Sequence, residues 1–355
     1  TNIKQNMNIA IIHDKLIWKG GLETRLRNYV SYFLEQGHEV TIIYNKKADD
    51  VSFPESVHLQ KVRRLWFPKS LRKWHFSEQA AAFLKEKKFD ASLSLGRTAY
   101  QDAVLAPGNH LGYLAATEKS WQSFDDRMQV YMDKQSFKHS KVIFAASQMI
   151  KNELKSLYNI EEQKIKVLYP PLNTAHFTSE SPTEKSVLQK KYGFSTQKTS
   201  FLFVSTGHRR KGLPLLLQLF EQLDKDKFEL LVAGYPKIYS RLENVIYIGF
   251  QTDMSELYHA ADYFILPALY EPFGQVVSEA LQCQTPVIIS HKVGAKEVVG
   301  IKEGIVVPSF ELADWKYEIE NLAEQNLTVA PHFAERNRLS LSYHAEAILE
   351  TLKSL

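Results

Sequence analysis

Two glutamates eight residues apart, Glu271 and Glu279, stand in the stretch of the chain whose residues are best suited to chemistry. Residues 266–290 read L-P-A-L-Y-E-P-F-G-Q-V-V-S-E-A-L-Q-C-Q-T-P-V-I-I-S. The pattern predicts a strand end, a loop that holds Glu271, a helix that begins near Phe273 or Gly274, and a second strand. Because the first amides of a helix lack partners and lie at its positive dipole end, they can receive a phosphate or a sugar oxygen. The stretch therefore predicts a ligand site, with two acids that merely complement the helix dipole as the alternative.

A second chemical signal is the basic loop S-T-G-H-R-R-K-G-L at residues 205–213. It follows a predicted strand and holds three consecutive cations, Arg209, Arg210 and Lys211. Neighbouring cations repel one another unless an anion lies between them, and arginine offers planar, bidentate contacts to phosphate oxygens. The loop therefore predicts a phosphate site, with a solvated basic turn as the alternative.

The string E-P-F-G-x-x-x-x-E-A and the R-K-G element together resemble the signature of the retaining family 4 glycosyltransferases. The resemblance implies the GT-B architecture, in which two Rossmann-like domains face each other across a cleft. It also implies that Glu271 contacts the transferred sugar beside the backbone of Phe273 and Gly274. Glu279 would then bind the ribose of the nucleotide.

The same resemblance assigns the donor diphosphate to the second half of the chain. Arg210 and Lys211 are expected to clamp it, and the backbone at Gly274 is a further diphosphate contact. The nucleotide base is expected at the backbone of Gly249 and Phe250, where the segment Y-I-G-F ends a strand.

The first half of the chain adds candidates on two loops. By resemblance, the loop W-K-G-G-L-E closes over the donor diphosphate and the acceptor, which makes Gly20 and Gly21 candidates, and Glu23 falls where related members often carry Glu. A plain glycine turn is the alternative. The segment P-G-N-H-L-G-Y resembles a stretch of lipopolysaccharide-core-type members in which a histidine faces the transferred sugar. His110 is therefore predicted as a catalytic residue beside Glu271, with a polar surface residue on a loop as the alternative.

One position departs from the family pattern. Members commonly carry glycine where this chain has Gln284, in the segment A-L-Q-C-Q-T-P-V. We expect this residue to alter the turn before the following strand.

A segment at residues 61–76, K-V-R-R-L-W-F-P-K-S-L-R-K-W-H-F, interleaves basic and aromatic residues. Trp and Phe suit the headgroup boundary of a membrane, and Lys and Arg attract anionic lipid. We therefore predict peripheral attachment to an anionic membrane surface. The alternatives are a solvated basic face over partly buried aromatics and a groove for single-stranded nucleic acid, which is not expected. The predicted membrane contacts are Arg63, Arg64, Trp66, Phe67, Arg72, Lys73 and Trp74.

At 355 residues the chain exceeds the size at which one core usually stops growing, so two domains are expected. Apolar, β-branched strand patterns alternate with helical patterns, which predicts an α/β fold with parallel sheets. We expect a Rossmann-like acceptor domain over residues 1–175 and a Rossmann-like nucleotide-sugar-binding domain over residues 176–335. The chain is expected to end in two helices, 312–326 and about 332–355, the last of which, from about 336, packs back onto the first domain.

Composition restricts the location and the cofactors. The single Cys283 excludes an intrachain disulfide and a cysteine metal cage. No stretch approaches eighteen apolar residues, and the polar start of the chain does not resemble a signal peptide. We expect a cytoplasmic protein, peripheral on the inner face of the cytoplasmic membrane. The chain has no His/Cys cluster, and cations can neutralise the leaving group, so no metal or other cofactor is expected.

The resulting functional prediction is a retaining, metal-independent glycosyltransferase of hexosyl or heptosyl type. It would move a sugar from a nucleotide diphosphate sugar, with UDP favoured, to a glycan or lipid-linked acceptor in bacterial envelope or lipopolysaccharide synthesis. An epimerase or phosphorylase of the same fold and a non-catalytic, membrane-docked sugar-nucleotide binder are the alternatives.

Overall fold

The computed structural model describes residues 6–17, 21–63, 67–119 and 122–355. The chain divides into two compact units, which are described separately. The first unit comprises Thr1–Pro171 and Leu341–Leu355, and the second comprises Leu172–Ser340.

The first unit is built on a seven-stranded parallel sheet, in the order β5-β3-β1-β6-β7-β8-β9. Strands β1, β6, β7 and β8 are buried along nearly their whole length, which explains their continuous apolar runs. The strands are β1 (Asn8–Ile12), β2 (Lys15–Leu16), β3 (Glu39–Tyr44), β4 (Lys46–Lys47), β5 (His58–Lys61), β6 (Ala91–Ser94), β7 (Ala103–Ala106), β8 (Val142–Ala145) and β9 (Ile165–Val167), of which β2 and β4 form a separate pair.

Helices cover this sheet, and the C-terminal helix is one of them. The helices of the first unit are α1 (Gly21–Glu35), α2 (Lys69–Glu86), α3 (His110–Ala116), α4 (Phe124–His139), α5 (Gln148–Tyr158) and the returning helix α13 (Leu341–Lys353). Apolar residues of α1 and α13 share one core cluster, and the Tyr29 hydroxyl lies 3.0 Å from Nδ1 of His344 within it. The end of the chain is therefore an integral part of the first unit.

The second unit repeats the same plan with a six-stranded parallel sheet, in the order β12-β11-β10-β13-β14-β15. Its strands are β10 (Thr199–Ser205), β11 (Phe228–Gly234), β12 (Val245–Gly249), β13 (Tyr263–Leu266), β14 (Val287–Ser290) and β15 (Gly304–Val307). Its helices are α6 (Lys185–Tyr192), α7 (Leu213–Gln222), α8 (Met254–Ala260), α9 (Gln275–Gln282), α10 (Leu312–Glu320), α11 (Leu322–Gln325) and α12 (Phe333–Arg336).

Both sheets have the Rossmann strand order. In each, successive strands are added on one side of the first strand and then on its other side, so the order of the strands reverses there. The reversal lies between β1 and β6 in the first unit and between β10 and β13 in the second. Parallel α/β sheets bind ligands at the carboxyl ends of their strands at such a point. The R-K-G loop follows β10 and the loop that holds Glu271 follows β13, so the two chemical stretches meet at this point of the second unit.

The prediction of two continuous C-terminal helices is wrong, because each is interrupted. The first breaks into α10 and α11 at Asn321, and the second breaks into α12 and α13. Between the latter two, Arg338 adopts a left-handed conformation at φ +57°. The Leu339 carbonyl then accepts a hydrogen bond of 2.7 Å from the Leu172 amide. The helix stops where the chain passes beside the start of the second unit.

None of the described helices combines the length and the apolar character that crossing a membrane requires. Cys283 is buried at the end of α9, beside Ser255 of α8. Burial raises the pKa of its thiol to about 12.

Candidate active site

The R-K-G loop is fixed by close contact with the segment after β13. Gly212 has φ +90°, and a Cβ atom there would lie 2.0 Å from the carbonyl oxygen of Pro267. The Leu269 amide donates a hydrogen bond of 2.9 Å to the Arg210 carbonyl. Only glycine permits this approach, and it brings the two cations before Gly212 against the loop that holds Glu271.

Arg210 and Lys211 converge on one carboxylate. The Arg210 guanidinium donates to Oε2 of Glu271 at 3.0 Å and to the Tyr270 carbonyl at 2.5 Å. Nζ of Lys211 lies 3.9 Å from the same Oε2 atom. The side chain of Arg210 is 31% exposed and that of Glu271 15% exposed, so the group is sheltered but open to a ligand.

Lys211 is the more buried of the two cations. Its side chain is 13% exposed, and its ammonium lies 3.5 Å from the Val204 carbonyl. Burial lowers the pKa of the Lys211 ammonium, an effect that the charge of Glu271 opposes and that of Arg210 reinforces. An anionic ligand at this point would stabilise the charged ammonium.

Backbone hydrogen bonds hold the E-P-F-G loop in place. The Glu271 amide donates to the Lys292 carbonyl at 3.0 Å, and the Glu271 carbonyl accepts from Gly294 at 2.9 Å. The Ala295 amide donates to the Phe273 carbonyl at 2.7 Å, and the side chain of Phe273 is buried. The segment after β14 thus fixes both ends of the loop.

Helix α9 begins as predicted immediately after this loop. Gly274 is its N-cap residue at φ +95°, and no side chain caps the helix. A Cβ atom at Gly274 would lie 3.1 Å from both Glu271 Cγ and Val293 Cγ1. The positive end of α9 therefore lies directly beside Glu271.

Glu279 lies in the second turn of α9, and a buried tyrosine holds it. The hydroxyl of Tyr258 in α8 donates to Oε2 of Glu279 at 2.9 Å. Burial raises the pKa of the Glu279 carboxyl, and the bond from Tyr258 opposes that rise. Sequence reasoning missed Tyr258, because its only local signal is an apolar helical position.

The two residues predicted for the nucleotide base lie at the end of β12. Gly249 closes the strand at φ +76°, and the side chain of Phe250 is 70% exposed. An exposed aromatic ring at the carboxyl edge of a parallel sheet is available to a ligand.

His110 is not the polar surface residue on a loop that the alternative interpretation expected. It begins α3 and is buried, at 6% relative exposure, because α4 packs over it. Its Nε2 atom lies 2.9 Å from Oδ1 of Asp126, and its amide donates to Asp133 at 2.8 Å. Both aspartates were missed, although they are charged residues on the buried face of α4.

Two families match the chain, one on each half. Residues 19–176 match Glycosyltransferase Family 4, and residues 184–340 match Glycosyl transferases group 1. Together the two matches span most of the chain.

The chain belongs to the family 4 glycosyltransferases.

Individual relatives extend this finding. A "probable transglycosylase" of Burkholderia thailandensis is 29% identical over 295 residues, which cover 82% of this chain and 80% of that protein. The crystal structure of WaaG, a glycosyltransferase involved in lipopolysaccharide biosynthesis, has a TM-score of 0.75 at 20% identity and covers 98% of this chain and 97% of its own. HepE of Anabaena in complex with UDP-glucose has a TM-score of 0.72 at 17% identity, with 98% and 100% covered. The predicted fold class, two Rossmann-like domains of the GT-B type, is confirmed.

The first loop of this glycosyltransferase is described only in part. Gly20 lies outside the described residues, and Gly21 is the first residue of α1. Glu23 lies in the first turn of α1, with Oε1 3.6 Å from Nε2 of His13 at the end of β1. Burial lowers the pKa of His13.

The residues predicted for membrane contact also lie only in part among the described residues. Arg64 and Trp66 lie outside the described residues, whereas Arg63, Arg72 and Lys73 are exposed. Phe67 and Trp74 are half-buried and pack edge to face, with ring centroids 6.3 Å apart. Nε of Arg72 donates to the Phe67 carbonyl at 2.9 Å. Phe67 and Trp74 therefore shelter one another beside exposed cations.

Within the described ranges of the transferase, His, Cys, Asp and Glu side chains nowhere gather in groups of three or more that could hold a metal ion.

Proposed function

We propose that this glycosyltransferase moves a sugar, with retention of configuration, from a nucleotide diphosphate sugar to a glycan or lipid-linked acceptor. The observation that carries the proposal is the convergence of Arg210 and Lys211 on Glu271 beside the start of α9. Two cations, one carboxylate and a helix start are the groups that a sugar diphosphate requires.

Each of these groups has a role in the proposed transfer. The bond between the anomeric carbon and the diphosphate oxygen breaks, and the acceptor oxygen replaces that oxygen on the sugar. Arg210 and Lys211 stabilise the negative charge that develops on the diphosphate, and Glu271 orients the sugar through its hydroxyl groups. The proton of the acceptor hydroxyl passes to the released diphosphate or to solvent. Glu279 holds the ribose.

A uridine nucleotide and an envelope acceptor are the proposed substrates. HepE, which shares the fold, is bound to UDP-glucose in its crystal structure, and WaaG is involved in lipopolysaccharide biosynthesis. These names support a UDP-hexose donor and a glycan or lipid-linked acceptor of the bacterial envelope. The proposed reaction needs no metal ion, because the two cations already offset the charge of the leaving group.

Attachment to an anionic membrane is part of the proposal. Beyond the exposed cations of residues 61–76, helix α4 also supports membrane attachment, because one of its faces carries aromatic and basic side chains at helical spacing. These exposed residues are Phe124, Arg127, Tyr131, Lys134 and Lys138. An acceptor with a lipid anchor would be met at such a surface, on the cytoplasmic side of the membrane.

Donor binding and transfer are tested together. A thermal-shift screen with UDP-glucose, UDP-galactose, UDP-N-acetylglucosamine, GDP-mannose and ADP-heptose should show stabilisation by one donor, because a ligand that binds only the folded state raises the melting temperature. Incubation with that donor and envelope lipid extract, with and without EDTA, should then give a product with the anomeric configuration of the donor in both cases. Epimerisation or phosphorolysis of the donor without acceptor would favour the epimerase or phosphorylase, and binding without turnover would favour a sensor.

Membrane attachment has its own test. The protein should float with vesicles that contain phosphatidylglycerol and not with pure phosphatidylcholine vesicles, and added salt should release it. The double variant Arg72→Glu with Lys73→Glu should bind the anionic vesicles more weakly. Equal binding to both vesicle types would refute this part of the proposal.

A further inference from the structure

A pocket lies between helices α2 and α4 of the first unit, which pack against each other. Its volume is about 240 Å³. Pockets for drug-sized ligands occupy about 300–1,000 Å³, so this one has room for a single ring. Three aromatic side chains, a carboxylate and an amide are among the groups that line it: Trp74 and Glu78 of α2, Tyr100 of the connection between β6 and β7, and Tyr131 and Gln135 of α4.

The pocket lies away from the carboxyl ends of the strands. Helix α4 begins beside His110, which follows β7, and it ends just before β8 begins at the opposite edge of the sheet. Tyr131 and Gln135 come about two and three turns after the start of α4, so they lie about 10 Å or more along its axis from the carboxyl edge. A ligand bound here would therefore not occupy the place where parallel α/β sheets hold their reacting groups.

Contacts with both helices fix the wall of the pocket that Tyr100 forms. Tyr100 adopts a left-handed conformation at φ +68°, which is unfavourable for a residue with a side chain. Its ring centroid lies 3.8 Å from Nζ of Lys85 in α2 and 4.6 Å from the ring centroid of His139 in α4. The amide of Ala99 donates to the hydroxyl of Ser77 in α2 at 3.0 Å. This wall is therefore formed before a ligand arrives, which lowers the cost of binding.

Trp74 and Tyr131 supply the aromatic surfaces that a ligand can reach. Trp74 is half-buried, and Tyr131 is 46% exposed. The ring of Tyr100, by contrast, already contacts Lys85 and His139. The faces of a pyranose ring carry C–H groups, which pack on an aromatic ring, and its rim carries hydroxyl groups. One such ring could lie on the indole or the phenol.

The polar groups of the pocket suit the hydroxyl rim of a sugar. The carboxylate of Glu78 accepts hydrogen bonds, and the amide of Gln135 both donates and accepts them. Among the described residues, none forms a hydrogen bond or an ion pair with either of these two side chains. Neighbouring hydroxyl groups can therefore bond to both without displacing a described partner.

Two other classes of ligand fit the lining less well. An acyl chain would leave the carboxylate of Glu78 and the amide of Gln135 without water and without partners, which is costly. A phosphate group would meet the negative charge of Glu78, and none of the described lining residues is Lys or Arg. A neutral ring with several hydroxyl groups meets neither objection.

We propose that this pocket binds one pyranose ring of a glycan, packed on Trp74 or Tyr131 and hydrogen-bonded to Glu78 and Gln135. Because the pocket lies away from the carboxyl ends of the strands, the bound ring is one that the transfer does not modify. That the ring belongs to the acceptor rests on the proposed function, in which the acceptor carries a glycan. Trp74 and Tyr131 also belong to the proposed membrane surface, so the test must separate a sugar from a lipid.

The first readout is the indole N–H signal of Trp74 in a ¹H–¹⁵N NMR spectrum of the whole protein. Trp74→Phe assigns this signal among the five tryptophans of the chain. The sugar probes are N-acetylglucosamine and the methyl α-glycosides of glucose, galactose and mannose, and the lipid probe is dihexanoylphosphatidylglycerol. At least one sugar should shift the signal saturably at millimolar concentration. No shift with any sugar, or a shift with the lipid alone, would overturn the proposal.

Substitutions at the pocket should weaken the sugar that binds. Glu78→Gln removes a charged acceptor and should weaken binding about tenfold. Tyr131→Leu should weaken it about three- to tenfold, whereas Tyr131→Phe keeps the ring and should bind within about twofold of the wild type. Glu86→Gln is the matched control, because Glu86 is an exposed acid of the same helix outside the lining of the pocket. Equal binding by Glu78→Gln and Glu86→Gln would refute the role of the carboxylate.

The second readout is transfer to the envelope acceptor. Glu78→Gln should raise KM for the acceptor about tenfold relative to Glu86→Gln and leave KM for the donor unchanged. Both variants lose one negative charge, so weaker attachment to an anionic membrane cannot explain a difference between them. An unchanged acceptor KM in Glu78→Gln would refute the role in acceptor binding. If the wild type transferred no sugar, the proposed function would fail, and the Trp74 signal would still decide whether the pocket binds a sugar.

Discussion

The two units of this glycosyltransferase hold their candidate site residues in different ways. In the second unit, Arg210 and Lys211 pair with Glu271 in a sheltered but accessible group. In the first unit, His110 at the start of α3 pairs with Asp126 of α4, and both side chains are almost fully buried. The accessible pair can exchange partners when a ligand arrives, whereas the buried pair is a permanent part of the fold. The first arrangement suits charge recognition, and the second suits the fixed orientation of one ring.

This difference predicts where substitutions act. Changes in the exchangeable group of the second unit should alter the affinity for the nucleotide as well as transfer. Changes in the buried pair of the first unit should alter transfer and leave nucleotide affinity unchanged.

The largest loss is expected for the double variant Arg210→Ala with Lys211→Ala. Without either cation, the charge on the departing diphosphate has no counterpart, and loss of a single such group commonly costs about 10²- to 10³-fold. We expect kcat/KM for transfer to fall by about 10³-fold or more. The measurement is the initial rate of sugar transfer at subsaturating donor.

Lys225→Ala is the matched control for that variant. Lys225 forms an exposed ion pair with Glu243, near the starts of β11 and β12 and not at the carboxyl ends of the strands, and such pairs contribute little to stability. It should retain wild-type transfer. A double variant as active as this control would show that the R-K-G loop does not bind the donor.

The sharpest test of the exchangeable group is Glu271→Gln, which should move two quantities in opposite directions. Transfer should fall about 100-fold, because the carboxylate no longer orients the sugar. Affinity for UDP without the sugar should rise about two- to fivefold, because Arg210 and Lys211 lose the competing carboxylate. Calorimetric titration with UDP measures the second effect.

Asp126→Asn is the comparison from the buried side. It should leave the affinity for UDP at the wild-type value, since its partners all lie in the first unit.

If Glu271→Gln bound UDP more weakly than the wild type, the carboxylate would be a nucleotide contact and the exchange of partners would be refuted.

Loss of the tyrosine behind Glu279, the glutamate proposed to hold the ribose, should have a smaller effect. Tyr258→Phe removes the hydrogen-bond donor to Glu279. Burial already raises the pKa of the Glu279 carboxyl, so without this bond the carboxylate becomes harder to keep charged. We expect UDP to bind about three- to tenfold more weakly. Binding of 2′-deoxy-UDP, which has one ribose hydroxyl fewer, should change less. Tyr263→Phe, at a half-buried tyrosine of β13, serves as the control and should bind both nucleotides as the wild type does.

The pH dependence of nucleotide binding should come from Lys211. Burial lowers the pKa of its ammonium in the unliganded protein, so the charge is complete below that pKa and is lost as the pH rises through it. Affinity for UDP should therefore decline on the alkaline side of neutrality. Lys211→Arg should bind with a flatter profile, since a guanidinium stays charged. Identical profiles for both proteins, measured by titration between about pH 7 and 10, would exclude Lys211 as the source.

The sequence grouped the candidate residues of the second unit more completely than those of the first, and the reason lies in chain distance. Arg210 and Lys211 are neighbours, and Glu271 and Glu279 lie in one loop and helix, so local patterns place them at strand ends. His110 was recognised only by a short motif. Its partners Asp126 and Asp133 come from a later helix, and no local pattern shows which loop that helix covers.

The fold followed the same rule. The predicted alternation of strands and helices agrees with the structure, because parallel strands leave continuous apolar runs. The interrupted C-terminal helices were missed, since the break before α13 depends on Leu172, which pairs with the chain near Leu339 from a distant part of the sequence.

The smallest effect is expected at Gln284, where the structure explains the departure from the family pattern. Gln284 follows the C-cap residue of α9 and adopts a left-handed conformation at φ +59°, which costs a non-glycine residue about 1 kcal/mol. Gln284→Gly should therefore raise the free energy of unfolding by about 0.5–1 kcal/mol, measured by urea denaturation, with unchanged transfer. Gly193→Ala is the reverse experiment. Gly193 ends α6 at φ +81°, and no neighbouring atom of the described residues lies within 4 Å of the place that a Cβ would take. The substitution should therefore lower the free energy of unfolding by a similar amount. If Gln284→Gly stabilised the protein but reduced transfer, the strained turn would instead serve the site, because it sets the position of α9 and hence of Glu279.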